Sequence, residues 1–200
     1  MPAIDRAGRE SLIKLPPPRL ERDGTLMQAL RSRGSTREFA PRSLPRELLG
    51  TLLWAAFGVN RPATHGRTAP SAHNWQEIEV YAALAEGVYR YDAAAHALRL
   101  AVAADLRPLT GVQDFIGDAP LNLVYVADFS RMSDASAEER TFLAAADAGG
   151  IAQNVYLLCA SAGLGCVVRG LIDRQKLAPA MGLRRDQRIV LAQTVGFPAG

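Results

Sequence analysis

The chain reads as an α+β fold, with helices packed on a sheet, and three features of its sequence carry that reading. Helical patterns come first, after a proline-rich start, and strands and helices mix afterwards. Three short strand-like runs between residues 78 and 102, joined by brief turns, have the form of an antiparallel meander. Residues 136–162 carry the longest helical repeat.

Taken in order, residues 1–24 hold Pro2, Pro16, Pro17 and Pro18 among charges. Such a segment predicts an extended arm without a fold of its own, suited to lying on a partner surface, ahead of a single domain over 25–200. Thr25 is placed to cap a helix through Leu26, Leu30 and Arg33, with Gly34 to end it. Ser43 is the expected cap of a second helix. Pro45 falls early in it and Glu47 in its first turn, where a carboxylate meets the positive end of the helix dipole. Its apolar face is Leu48, Leu49, Leu52, Leu53, Ala56 and Phe57, and Gly58 and Asn60 close it. Residues 58–75, with Gly58, Pro62, Gly66 and Pro70, read as one long loop, a feature often tied to function.

Ile78, Val80 and Tyr81 mark a first strand, Val88, Tyr89 and Tyr91 a second, and residues 97–102 a third. Residues 103–119 are mixed and helical in part, and 121–126 form a nearly continuous apolar run, a buried strand. Ser136 starts the long helix, with Glu138 and Glu139 in its first turn. Ala148, Ile151, Ala152, Val155, Leu158, Cys159 and Ala162 recur at three and four residues and form its core face. Gly149 and Gly150 interrupt it at about 1 kcal/mol each against alanine, which predicts the close approach of another helix or backbone. Gly163 and Gly165 end the helix, a strand begins at 166–168, and Asp173 opens a short helix. A last strand over 189–195 precedes Gly196-Phe197-Pro198.

At 200 residues the chain suits one domain with a substantial core. An apolar share of 48% and a charged share of 22% are those of an ordinary globular protein. The net charge of +3 is too small and too dispersed to argue for nucleic acid, apart from arginine groups at 31, 33 and 37 and at 184, 185 and 188. Cys159 and Cys166 lack partners at zinc-ligand spacing and read as buried reduced thiols. The first twenty residues lack an apolar signal core, and no segment approaches the ~20 apolar residues of a membrane span, so a soluble cytoplasmic protein is expected.

Two clusters offer chemistry. Arg33-Gly34-Ser35-Thr36-Arg37-Glu38-Phe39 sets two guanidiniums and two hydroxyls within five residues, a donor set suited to a phosphate. Ala69-Pro70-Ser71-Ala72-His73-Asn74-Trp75-Gln76 offers directional donors and acceptors beside an aromatic ring. Read singly, the first is also a solvated charged turn and the second a turn at a strand edge. His96 reads as structural and His73 as a solvated loop residue. There is no Gly-x-Ser-x-Gly elbow, phosphate loop, dinucleotide fingerprint or metal-ligand spacing. A site so poor in acids and bases fits a cofactor that carries the reaction itself.

Arg33-Gly34-Ser35-Thr36-Arg37-Glu38-Phe39 resembles the Arg-x-Ser-x-Arg/Lys-x-Phe signature of the FMN-dependent nitroreductase family. Pro70-Ser71-Ala72-His73-Asn74-Trp75-Gln76 is similar to its Pro-Ser-x-x-Asn-x-Gln segment. Asp147 with Ala152-Gln153-Asn154, then Gly163-Leu164-Gly165, resembles its long interface helix and exit turn, and Gly196-Phe197-Pro198 its closing Gly-Tyr-Pro. The stretch from Pro16 through Trp54 to Tyr91 also resembles the thiazoline/oxazoline dehydrogenase branch.

The resemblance implies a nitroreductase-like fold with a central, mainly antiparallel sheet, flanking helices and a long interface helix. It implies a homodimer with FMN between subunits, and NAD(P)H as co-substrate. Hydride would pass through flavin N5 to a nitroaromatic, quinone or enone in a ping-pong cycle. Arg33, Ser35 and Arg37 would hold the phosphate and ribityl chain. Ser71, Asn74 and Gln76 lie in the segment that would meet the ring or ribityl hydroxyls, Ser71 and Asn74 from the other subunit. Val168, Arg169 and Gly170 match the segment whose backbone approaches N5. Many members continue past Gly-Tyr-Pro to a basic pair that grips the phosphate; here the sequence stops at Gly200, so that contact is expected to be absent or to be replaced by Arg31 or an arginine of the 184–188 group. Two other functions stand beside this one: an oxygen-dependent azoline dehydrogenase or flavin-remodelling enzyme on the same fold, and a non-catalytic module for a phosphorylated ligand.

Overall fold

In the computed structural model, which describes residues 11–20 and 24–199, the elements run β1 (Leu12–Lys14), α1 (Leu26–Ser32), α2 (Arg46–Phe57), β2 (Val59–Arg61), β3 (Gly66–Arg67), β4 (Ile78–Leu84), β5 (Gly87–Asp92), β6 (Ala97–Val102), β7 (Leu121–Asp128), α3 (Ala137–Ala162), β8 (Gly165–Arg169), α4 (Arg174–Ala180) and β9 (Gln187–Gly196). Seven strands form one sheet in the order β1-β6-β5-β4-β7-β9-β8. Every pairing in it is antiparallel.

The central strand β7 is buried along its whole length, because both sheet faces are covered. Leu121, Leu123, Tyr125 and Ala127 face a core built with Leu52, Leu53 and Phe57 of α2 and Ala148, Ile151 and Val155 of α3. The alternate residues Val124 and Val126 face a second core with Leu177 of α4, Ile172 and Met181. Period-two burial on both faces explains why the sequence shows a continuous apolar run there. Both cysteines are buried.

Local chemistry sets the helix ends. Thr25 and Gln28 close a capping box on α1, and Ser136 and Glu139 close another on α3. Gly163 ends α3 in the left-handed region at φ 67°, where glycine carries no Cβ penalty. The second helix departs from expectation: Pro45 is its N-cap and no side chain caps it, so Ser43 has no such role. The expected long loop over 58–75 contains a small antiparallel hairpin, β2 with β3. The proline arm is also partly built into this chain. Leu12–Lys14 pairs with β6, and His96 holds the segment that follows. The Pro16 carbonyl can only accept, so His96 Nε2 donates to it at 2.8 Å, and Nδ1 accepts from the Tyr91 hydroxyl at 2.9 Å. Residues 1–10 and 21–23 of the arm lie outside the described residues.

Helix α3 spans 26 residues and is long and apolar enough, by length and composition, to cross a membrane, contrary to the sequence reading. Its buried stripe instead packs on α1, α2, β8 and β9. Its other side leaves Phe142, Ala145, Ala146, Gly149 and Gln153 exposed. The close approach expected at the paired glycines is missing among the described residues. A Cβ at Gly149 would meet nothing within 4 Å, and one at Gly150 only the Pro70 ring at 3.6 Å.

Candidate functional site

The arginine turn leaves α1 at Arg33 and lies on the start of β8. Thr36 donates its N–H to the Cys166 carbonyl at 2.9 Å. This approach needs a glycine opposite, since a Cβ at Gly165 would stand 2.8 Å from Thr36 Cβ. Tyr156 of α3 is the hub beneath the turn. Its ring lies 5.1 Å from the Arg33 guanidinium carbon, its hydroxyl is 2.9 Å from Ser35 Oγ, and the same hydroxyl accepts the Val168 N–H at 3.0 Å. Arg33, Ser35 and Val168, 135 positions apart at their extremes by number, are thus gathered on one phenol. Sequence reading missed Tyr156. Its position one residue beyond the core stripe at Val155, with a polar tip, is the only local signal it carries.

Arg33, Ser35 and Arg37 are all exposed. Neither arginine forms an ion pair with a described carboxylate, so both charges are open to an anion. The arginines at 184–188 are not available to help. Arg184 is paired with Asp128 at 2.9 Å, and Arg188 opposes Ala127 at the start of β9. Gly165 pairs with Gly196 at that strand's other end, ~26 Å away at about 3.3 Å per residue. Arg31, exposed in the last turn of α1, remains.

The second cluster is a braced loop. Ser71 Oγ accepts the Gln76 N–H at 2.8 Å and donates to Glu77 at 3.2 Å. Asp147 of α3 accepts the Ala72 N–H at 2.8 Å. His73, Asn74 and Gln76 all have positive φ, between 50° and 55°, a conformation that such residues hold only when the surroundings impose it. Gln76 is fully engaged: its Oε1 accepts from Arg67 Nε at 2.8 Å, and its Nε2 donates to the His65 carbonyl and to Asn74 Oδ1. Gln76 therefore acts as a brace, and Asn74, exposed, has no acceptor for its side-chain amide N–H groups among the described residues.

The third segment divides by direction. The Val168 N–H is spent on Tyr156. The Arg169 side chain is buried among neutral acceptors: the Thr110 carbonyl at 2.8 Å, Asn122 Oδ1 at 2.9 Å and Thr194 Oγ1 at 3.0 Å. Burial lowers its guanidinium to about 10. Arg169 thus fastens the end of β8 to β7 and β9 rather than reaching outward. Gly170 is exposed, beyond the last sheet pair, Arg169 with Ala192.

The two polar clusters do not meet within one chain. Both are tied to α3, the first through Tyr156 and the second through Asp147. Nine residues separate these anchors, ~13.5 Å along the helix and about 180° around it. They stand on opposite flanks of the buried stripe.

A family model described as the nitroreductase family matches residues 30–197. The chain is 32% identical over 155 residues to a protein of Methanocaldococcus jannaschii, covering 72% of this chain and 78% of that one. It is 50% identical to a crystal structure from Ralstonia eutropha JMP134, with a TM-score of 0.92, covering 100% of this chain and 94% of that chain. Both carry the name "putative nitroreductase". A chain of the Escherichia coli microcin synthetase McbBCD complex shares the fold, with a TM-score of 0.75 at 22% identity over 84% of this chain and 70% of that chain.

Proposed function

The chain belongs to the nitroreductase family, and from that membership we propose that it is an FMN-dependent oxidoreductase working as a homodimer. Its electron donor is NADH or NADPH, and its acceptor an electron-poor nitroaromatic, quinone or enone, taken in ping-pong order.

The observation that carries this reading is the pair of unpaired guanidiniums at 33 and 37, exposed beside a serine fixed on Tyr156. A phosphate monoester fits that donor set: two charged forks and a hydroxyl at the end of a helix. The opposite placement of the Ser71–Gln76 loop on α3 supports a site shared by two copies, one giving the arginine turn and the other the loop. The exposed stripe with Phe142, Ala145, Ala146 and Gly149 is the face we assign to that contact.

When bound, FMN supplies the hydride chemistry, accepting two electrons from the nicotinamide and yielding them to the second substrate. The chain's own residues bind and orient. Arg33 and Arg37 neutralise the phosphate. Tyr156 keeps Ser35 and the end of β8 in fixed relation. Asn74 offers outward amide donors to the ring or ribityl hydroxyls. The backbone donor toward the reducible edge falls to Gly170, because the Val168 N–H is already spent.

A visible absorption spectrum of the purified protein, then addition of NADH or NADPH under nitrogen, tests the proposal. A yellow protein that bleaches and then reoxidises with menadione is expected. A protein that stays colourless after added FMN overturns the reading. A yellow protein that no nicotinamide reduces transfers the argument to an oxygen-dependent dehydrogenase of peptide azolines.

A further inference from the structure

Glu77 is fully buried at the foot of the 71–76 loop. One carboxyl oxygen, Oε2, accepts the Ser71 hydroxyl. The other, Oε1, is buried without a hydrogen-bond partner among the described residues, and the loop residue next to Ser71, Ala72, brings up the second carboxylate, Asp147. Asp147 in turn holds the loop through the Ala72 N–H. Two carboxylates buried side by side repel one another, and a lone acceptor facing a carboxylate has no donor to satisfy it. One proton resolves both problems: carried on Glu77 Oε1, it is donated to Asp147.

We propose that Glu77 and Asp147 hold a single proton between them, and that this pair locks the 71–76 loop in its cofactor-receiving shape, making Glu77 a positioning residue. The pair is a property of the chain alone; its bearing on the cofactor rests on the function proposed above.

The surroundings leave Asp147 as the charge that acts on Glu77. Arg131, which donates to the Gln76 carbonyl, is shared between Glu79 and Asp128. Glu79 is paired with Arg90. Asp128, whose N–H donates to the Glu77 carbonyl, pairs with Arg184. His73 stacks on Trp75 and acts on Glu139. Burial first, and then Asp147, raise the Glu77 carboxyl from 4.5 to about 7. The strained loop, with three positive-φ side-chain residues, needs such a hold to persist.

The sign follows from linkage. The closed loop keeps a proton that an open loop would release. The proton's contribution to closure is therefore fully present below the ordinary carboxyl value and is lost as pH rises to the raised Glu77 value, by up to ~tenfold per pH unit. Above it the effect levels off.

Amide hydrogen exchange at Ala72 and Gln76 in the ligand-free full chain, corrected for intrinsic rate, reads the opening directly. The opening constant is expected to rise by up to ~100-fold between about pH 5 and 7 and then flatten. Glu77→Gln, which donates an amide hydrogen at every pH, gives a flat profile. Asp147→Asn, which preserves an acceptor for Ala72 while removing the repulsion, makes the rise smaller and levels it off at lower pH. Equal slopes in wild type and Glu77→Gln, or no slope in wild type, overturn the pair. FMN titration in parallel separates the second claim. A dissociation constant that weakens over the same pH window in wild type but not in Glu77→Gln supports the positioning role, and a pH-independent one overturns it. A chain that binds no FMN at any pH overturns the cofactor reading, while the exchange profile still decides the pair.

Discussion

Replacing Tyr156 with phenylalanine removes one oxygen atom and leaves the ring under Arg33 in place. The deleted hydroxyl accepts the Val168 N–H at 3.0 Å and bonds Ser35 Oγ at 2.9 Å. Tyr156 is only 6% exposed, so water does not readily replace the lost acceptor on the β8 side. A buried donor left unsatisfied costs ~1–3 kcal/mol. Ser35 is exposed and recovers a water, so its half of the loss is small in stability terms. At this chain length a loss of about 2 kcal/mol lowers Tm by ~4–8 °C. The same change frees Ser35 from its fixed position, and about 1 kcal/mol of lost preorganisation weakens FMN binding by roughly fivefold. Differential scanning fluorimetry of the apoprotein reads the first effect, and flavin fluorescence quenching the second. A Tyr156→Phe protein that melts with wild type and binds FMN equally well would refute the view that this phenol joins the arginine turn to β8.

Gly165→Ala drives a methyl group to 2.8 Å from Thr36 Cβ. It should cost ~1–3 kcal/mol by overpacking and displace the arginine turn, measured as a lower Tm together with weaker FMN binding. A Cβ at Gly149 meets nothing within 4 Å and the position is exposed, so Gly149→Arg should leave the protomer's secondary structure unchanged by circular dichroism. Its mass by light scattering should fall from dimer to monomer, and FMN should be lost with it; a dimer that persists with full FMN content removes α3 from the interface.

What the sequence made legible is local. Thr25 with Gln28 and Ser136 with Glu139 act within one helical turn, so both caps could be read from residue type and spacing. The meander was legible because strand-forming residues cluster in three runs of six or seven residues joined by short turns. The hairpin of β2 and β3 was not, since strands of three and two residues have no period to detect. Ser43 failed as a cap because Pro45 sits at the N-cap itself. The site divides the same way. The two clusters were visible as runs of polar residues. Tyr156 was not, because its role exists only where residues 33, 35 and 168 converge in space. The burial of the Arg169 side chain was equally hidden, because the neutral acceptors that enclose it come from β7, β9 and Thr110, far apart in sequence.

The spacing of Asp147 and Tyr156 decides whether one chain can build the site. Had seven or eleven residues separated them, both anchors would share a helix face. Nine residues place them on opposite flanks, the geometry on which the proposed site combines the arginine turn of one copy with the loop of another. This predicts an asymmetric outcome when two defective chains are combined. Consider Arg33→Ala on one chain and Asn74→Ala on the other, each alone binding FMN poorly. In a mixed dimer with a shared site, one site collects both lesions and the other collects none, so about half of the wild-type FMN content returns at wild-type affinity. With a site contained in a single chain, every site keeps one lesion and nothing returns. Differently tagged chains, co-expressed and purified through both tags, allow the flavin per dimer to be counted by absorbance. Failure to recover any tightly bound FMN in the mixed dimer would break the link drawn here between helix geometry and a two-chain site.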